Sequence, residues 1–177
     1  MVREVSRERV SHGKSKVLLS DQYTYGGTMA KGDVDLVVRI KSGPNYTDNI
    51  LFVTEVKKPS TLEEGLLQNC MELYDAYEKN SVKGEVYGIV ICGNQWIYTR
   101  YVGDNNEYPM KNWNQSDCLH IYIPNDINNF GDKTKEEVKE ITSYIKWIIK
   151  SSAEKFDNAI APKTSIKSPK KRRRGSS

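Results

Sequence analysis

The chain of 177 residues has room for one ordinary domain and a tail, and its net charge of +4 is carried by the tail. Seven of the 27 basic residues (Lys163, Lys167, Lys170, Lys171, Arg172, Arg173 and Arg174) follow Ala161 with no acid among them, which leaves 20 basic against 23 acidic residues in the body, about −3. The body therefore has no overall positive field; three widely spaced cysteines without a CxxC pair argue against a disulfide framework or a zinc site, and two histidines leave little for a His-based triad.

Cys70, Cys92 and Cys118 each lie in apolar stretches and read as buried free thiols of a reducing compartment. No apolar run approaches a membrane span, so no membrane partner is expected and the chain reads as soluble. The charged start, with Arg3, Glu4, Arg7, Glu8 and Arg9, does not fit a signal peptide. Nothing before Val17 forms a complete element, and residues 1–30 read as an N-terminal segment with a truncated first helix.

A period-two pattern from Val34 to Ile40 predicts a strand with Val34, Leu36, Val38 and Ile40 on one face and Asp35, Val37 and Arg39 on the other. Turn-formers from Gly43 to Asp48 lead into the apolar run Ile50 to Val56, a second strand close enough for an antiparallel hairpin. Ser60 followed by Glu63 predicts a capping box. The helix it opens runs to about Lys79, with Leu62, Leu66, Leu67, Cys70, Leu73, Tyr74 and Tyr77 on its apolar stripe.

Two strands follow, Val86 to Cys92 and Gln95 to Tyr101, joined by the hairpin turn Gly93-Asn94. Trp96 and Tyr98 share a face and suit the core, whereas Trp113, in the polar stretch Asp104 to Asp117, reads as a loop residue on a contact surface. Cys118 to Ile123 predicts a short last strand. Asp132 or Thr134 then caps a helix to about Ser152 whose inner face carries Val138, Ile141, Tyr144, Ile145, Ile148 and Ile149. The expected architecture is α/β, a mixed central sheet flanked by helices over 31–155, followed by a disordered basic tail over 156–177.

The charged residues that interrupt the apolar strands carry the chemistry. Glu55 and Lys57 are two apart on one strand and point to the same face, and Asp35 faces them if the neighbouring strand is in register. Asp33 competes with Asp35 because the two share a face. Two converging carboxylates make a hard-oxygen site suited to Mg²⁺ or Mn²⁺, and an adjacent ammonium stabilises charge on a phosphate under attack.

At Asp35 and Glu55-Val56-Lys57 the chain resembles the PD-(D/E)XK nuclease superfamily, in which an Asp on one strand and an E-x-K on the next precede a helix. That resemblance implies a restriction-endonuclease-like fold, metal binding by Asp35 and Glu55 with Asp33 as the competing ligand, assistance to hydrolysis by Lys57, and a further role for Gln68 on the following helix. The chain departs from the pattern where Lys31-Gly32 replaces the expected proline and where Glu72 stands four residues after Gln68 in place of a tyrosine. Glu55-Val56-Lys57-Lys58-Pro59 and the basic end also resemble the nuclease-like domains of Crinkler-type effectors of filamentous microbes, which implies an effector acting in a host nucleus.

Lys170-Lys171-Arg172-Arg173-Arg174 after Pro169 is a compact basic run of the kind read by nuclear import receptors. The expected function is hydrolysis of phosphodiester bonds in nuclear DNA by a Mg²⁺-dependent or Mn²⁺-dependent nuclease. The alternative is a catalytically inactive module of the same fold that binds DNA or a nuclear protein, and open sheet edges leave a homo-oligomer available.

Overall fold

The computed structural model describes residues 11–12, 15–29, 31–42, 47–103, 112–121 and 131–161. In chain order these form β1 (Ser11–His12), β2 (Ser15–Gly26), β3 (Lys31–Ser42), β4 (Thr47–Lys57), a 3₁₀ turn (Pro59–Thr61), α1 (Leu62–Lys79), β5 (Glu85–Cys92), β6 (Gln95–Val102), β7 (Trp113–Gln115), β8 (Leu119–His120) and α2 (Asp132–Ile160). The strands build one mixed sheet in the order β1-β2-β3-β4-β5-β6-β7, with β8 also pairing β6. β4 and β5 are parallel, joined by the α1 crossover, and the other pairs are antiparallel. β5 reads as a nearly continuous apolar run because both its faces are covered.

A bulge in β4 sets which residues face α1. Val38 pairs with Phe52 but Arg39 pairs with Ile50, so Leu51 is the extra residue. Period-two alternation alone would send Ile50 to the same side as Phe52. The inserted Leu51 reverses that, and Ile50 joins Val37 and Val53 in the cluster under α1 while Leu51 and Phe52 join the cluster under α2. At this point β4 has no strand partner on its β5 side, and the Asn80 side chain takes that place: Ile50 N–H donates to Asn80 Oδ1 at 2.7 Å, and Asn80 Nδ2 donates to the Ile50 carbonyl at 2.8 Å. Two buried backbone groups that otherwise face a desolvation penalty are thereby satisfied.

α1 lies on one face with Leu73, Ala76 and Tyr77 against Val34, Val37, Val53, Val86 and Tyr101. α2 lies on the other, with Ile141, Ile148, Ala153 and Phe156 against Val38, Phe52, Ile89, Tyr98 and Ile121. Each fully buried aliphatic side chain such as Leu73 or Ile148 contributes about 1.5–3 kcal/mol. α1 comes unusually close to the sheet because two glycines allow it. A Cβ on Gly65 would sit 2.7 Å from Lys57 Cγ, and one on Gly88 would sit 2.5 Å from Thr99 Oγ1 and 2.6 Å from Asn69 Oδ1.

Several expected elements differ from those observed. The stretch 15–26 is a long strand paired along the whole of β3, so the folded part begins well before residue 31. The capping box does not form: α1 starts after a 3₁₀ turn, Thr61 is the N-cap residue, and no side-chain cap bond is made. α2 continues past Ser152 to Ile160 and buries Phe156, which extends the domain beyond 155. Val138 and Tyr144 lie on its exposed side. Trp113 belongs to a strand and packs partly buried against the α1-side cluster, and Cys118 is only partly buried. Residues 1–10 and 162–177, with Glu4, Glu8 and the basic run, lie outside the described residues. No helix among the described residues is long and apolar enough to cross a membrane.

The close approach at Gly88 yields a sharp expectation. Gly88→Ala loses about 1–3 kcal/mol of stability through overpacking, whereas Gly84→Ala, whose added methyl meets nothing within 4 Å, changes stability little. Urea unfolding of both variants checks this, and equal midpoints would contradict the packing described.

Candidate active site

The β3–β4 ladder ends at the pair Leu36 and Thr54, one residue short of Asp35 on β3 and of Glu55 on β4. Glu55 and Lys57 follow Val53 on the α1 side of β4, and the Asp35 charge acts on Lys57. Asp35 ends the ladder itself: its Oδ2 accepts the Val56 N–H at 2.8 Å. Asp33 is exposed, as Asp35 is, but it pairs with Thr24 of β2 and lies two residues farther beyond the end of the β3–β4 pairing. It is therefore the weaker candidate of the two.

Glu55 is 1% exposed, and a bare carboxylate that deep is prohibitively costly. Lys57 Nζ answers it with an ion pair of 2.9 Å to Glu55 Oε2. The same ammonium donates to Gln68 Oε1 at 2.8 Å, and Gln68 Nε2 donates to Glu72 Oε1 at 2.8 Å. The Gln68 amide is thus oriented as its chemistry requires, carbonyl to the cation and NH₂ to the carboxyl. Gly65, one turn before Gln68 and Asn69, leaves the space through which the Lys57 stem passes beneath α1.

Glu72 is the residue that the sequence pattern did not flag as functional. It is buried, and its carboxyl reaches that of Glu55. Glu55 Oε1 has no donor facing it otherwise. Two ionised carboxylates cannot hydrogen-bond, so the contact requires a proton on one of them. Burial is the main cause that pushes the Glu72 carboxyl from its ordinary 4.5 up to about 8; the Glu55 charge and the Glu55 contact add to this, while the Gln68 bond and the Lys57 charge oppose it. Glu72 therefore holds the proton at neutral pH. The signal in the sequence is its place one turn after Gln68, on the same flank of the apolar stripe.

Burial alone would lower the pKa of Lys57. Its hydrogen bond to Glu55 and the charges of Glu55, Asp35 and Glu72 outweigh that effect, and the net shift is upward. The ammonium stays charged, so Lys57 is built to stabilise negative charge and not to accept a proton at neutral pH.

Among the described residues no three His, Cys, Asp or Glu side chains converge as a ready metal cage. Mg²⁺ does not demand one, since it retains several waters and takes one or two carboxylates. Glu55, with no donor at Oε1 apart from the Glu72 carboxyl, and Asp35, whose charge also acts on Lys57, fit that smaller requirement. No family model, no curated protein and no solved structure matches the chain.

The protonated Glu72 gives a pH signature. Between about 4.5 and about 8 the folded chain holds a proton that the unfolded chain has released. The stabilisation associated with it is complete below that window and is lost as pH rises through it. Glu72→Gln, which cannot ionise, removes this slope. The melting temperature of the variant relative to the parent is expected to rise by several degrees from pH 5 to pH 8.5, and a constant difference in thermal scans would mean that Glu72 is ionised throughout.

Proposed function

We propose that the chain is a nuclease-type domain with a PD-(D/E)XK site and a restriction-endonuclease-like core, acting on DNA with Mg²⁺ or Mn²⁺. The observation that supports this most is the buried Glu55 carboxylate paired with Lys57 at the end of β4, with Asp35 beside it on β3 and Gln68 on the next helix. The order β3, β4, α1, β5, β6 also follows the succession of strand, strand, helix, strand and strand that the motif implies.

In this reading Asp35 and Glu55 would hold the metal, with Asp33 as the alternative to Asp35. The bound ion supplies Lewis-acid polarisation of the phosphoryl oxygen and a lowered pKa for water. Lys57 presents a permanent positive charge to the phosphate. Gln68 keeps the ammonium in place, and Glu72, protonated, adds no further negative charge beside Glu55. The basic run Lys170 to Arg174 is read by an import receptor, which brings the domain to nuclear DNA, as an effector of the Crinkler type would require.

A second reading rests on the same contacts. Lys57 is bound on two sides and Asp35 spends an oxygen on the Val56 N–H, an arrangement that also suits a domain that has kept the fold, lost catalysis, and binds DNA or a nuclear protein.

Cleavage of plasmid DNA by the purified chain separates the two. The nuclease reading expects cutting that requires Mg²⁺ or Mn²⁺ and that falls on the order of 100-fold or more in Asp35→Asn and in Glu55→Gln, both near-isosteric. Cutting at the parental rate by Asp35→Asn overturns it. DNA binding equal with and without metal, with no cutting, favours the second reading. In cells, changing Lys171, Arg172 and Arg173 to alanine is expected to abolish nuclear accumulation of a fluorescent fusion, and persistence of that accumulation would remove the import role.

A further inference from the structure

The face of the sheet opposite Glu55 carries a separate cleft where α2 passes over β6. Tyr98, Leu119, Tyr144 and Trp147 form its apolar walls, and Asp117 and Glu140 its charged ones, around a volume of about 580 Å³. Trp147 is 54% exposed and Tyr144 is 44% exposed, although both are large aromatics on a helix whose other face is well packed. Their rings stack with centroids 5.7 Å apart and planes at 29°. Tyr144 also meets Tyr98 edge-on at 4.5 Å. Tyr98 is fixed in turn by the bond from its hydroxyl to the Ile141 carbonyl at 3.1 Å. These rings form a fixed aromatic wall, open to solvent.

The charges select what such a wall attracts. Glu140 lies one turn before Tyr144 and close enough to act on the Tyr98 phenol, whose pKa is pushed up to about 12 by burial, by Tyr144 and by Glu140. Asp117 lies across the cleft, on the segment between β7 and β8. The cation Arg100 lines a smaller adjoining cleft of about 220 Å³ that shares the same three rings. Both charged residues that line the larger cleft are carboxylates. Ring faces attract cations through their quadrupole, most strongly in the case of tryptophan, and carboxylates reinforce them. Anions and neutral apolar groups gain nothing from the carboxylates.

We infer that this cleft binds an organic cation, a methylated ammonium group seated against Trp147 and Tyr144 with Glu140 and Asp117 balancing its charge. A methylated head suits the site better than a bare ammonium, because it is less tightly hydrated and offers apolar surface to the rings. The site is independent of Glu55 and Lys57, so it stands whether or not the chain cuts DNA.

The test is titration of the full chain with choline chloride, followed by backbone amide and indole signals in NMR. Its uncharged isostere 3,3-dimethyl-1-butanol and sodium chloride are run beside it. Choline is expected to give saturable shifts confined to 116–119, 140–147 and the Trp147 indole, and the isostere to bind about tenfold more weakly. Trp147→Leu and Glu140→Gln, both at exposed positions, are each expected to weaken binding about fivefold or more with the rest of the spectrum unchanged. Equal binding of the isostere, shifts that do not saturate, or shifts that survive Trp147→Leu would overturn the inference.

Discussion

A carboxylate held at 1% exposure inside a sheet persists only if its charge is answered, and Glu55 is answered by Lys57 two residues along the same strand. Removing one partner of such a pair leaves an uncompensated charge, at a cost of about 3–5 kcal/mol. The neighbouring site is arranged around that constraint. Gln68 fixes the ammonium from above, Glu72 keeps its proton because it is buried and the Glu55 charge adds to the cost of ionising it, and Asp35 closes the end of the β3–β4 ladder. A pair of apolar residues of similar volume would fill the same space without these demands. The retention of charges there is the physical ground for regarding the place as functional.

The backbone has been shaped to allow the pair. The Leu51 bulge keeps Ile50 on the same side as Val53 beneath α1, and Asn80 satisfies the backbone groups that the bulge leaves without a strand partner. Gly65 and Gly88 let α1 descend until Gln68 and Glu72 reach β4. Asn69 and Thr99, bonded at 2.5 Å under the helix, show that this interface is polar as well as close. Asp75, farther along α1, accepts bonds from the Thr28 N–H and hydroxyl and from the Met29 N–H, tying the β2–β3 turn to the helix. α1 is thus locked against β4 and against the turn that leads into β3, the two strands that carry Glu55 and Asp35.

What sequence periodicity could read, it read: β3, β4, α1, β5, β6 and the Gly93-Asn94 turn are close to where alternation and helical spacing put them, and Gly93 has the positive φ of 62° that the turn needs. β2 was missed because Ser20, Asp21, Gln22 and Thr24 interrupt its apolar pattern, and its pairing along the whole of β3 is a long-range effect. The expected end of α2 near Ser152 falls short because burial of Ser152, Ala153 and Phe156 carries the helix on to Ile160. Asp35, Glu55 and Lys57 were legible as charges interrupting apolar strands. Glu72 was not, because its importance lies in a carboxyl contact between a helix and a strand that only the α1 packing creates.

The central claim is that Asp35 and Glu55 together offer a divalent cation a place beside Lys57. Crystals soaked in Mn²⁺ and measured for anomalous scattering test it most directly. The account predicts one ordered ion within bonding distance of both carboxylates, with Lys57 still near it. A map with no ion there, or with one bound by other residues while the Glu55 and Lys57 pair stays closed, would contradict it.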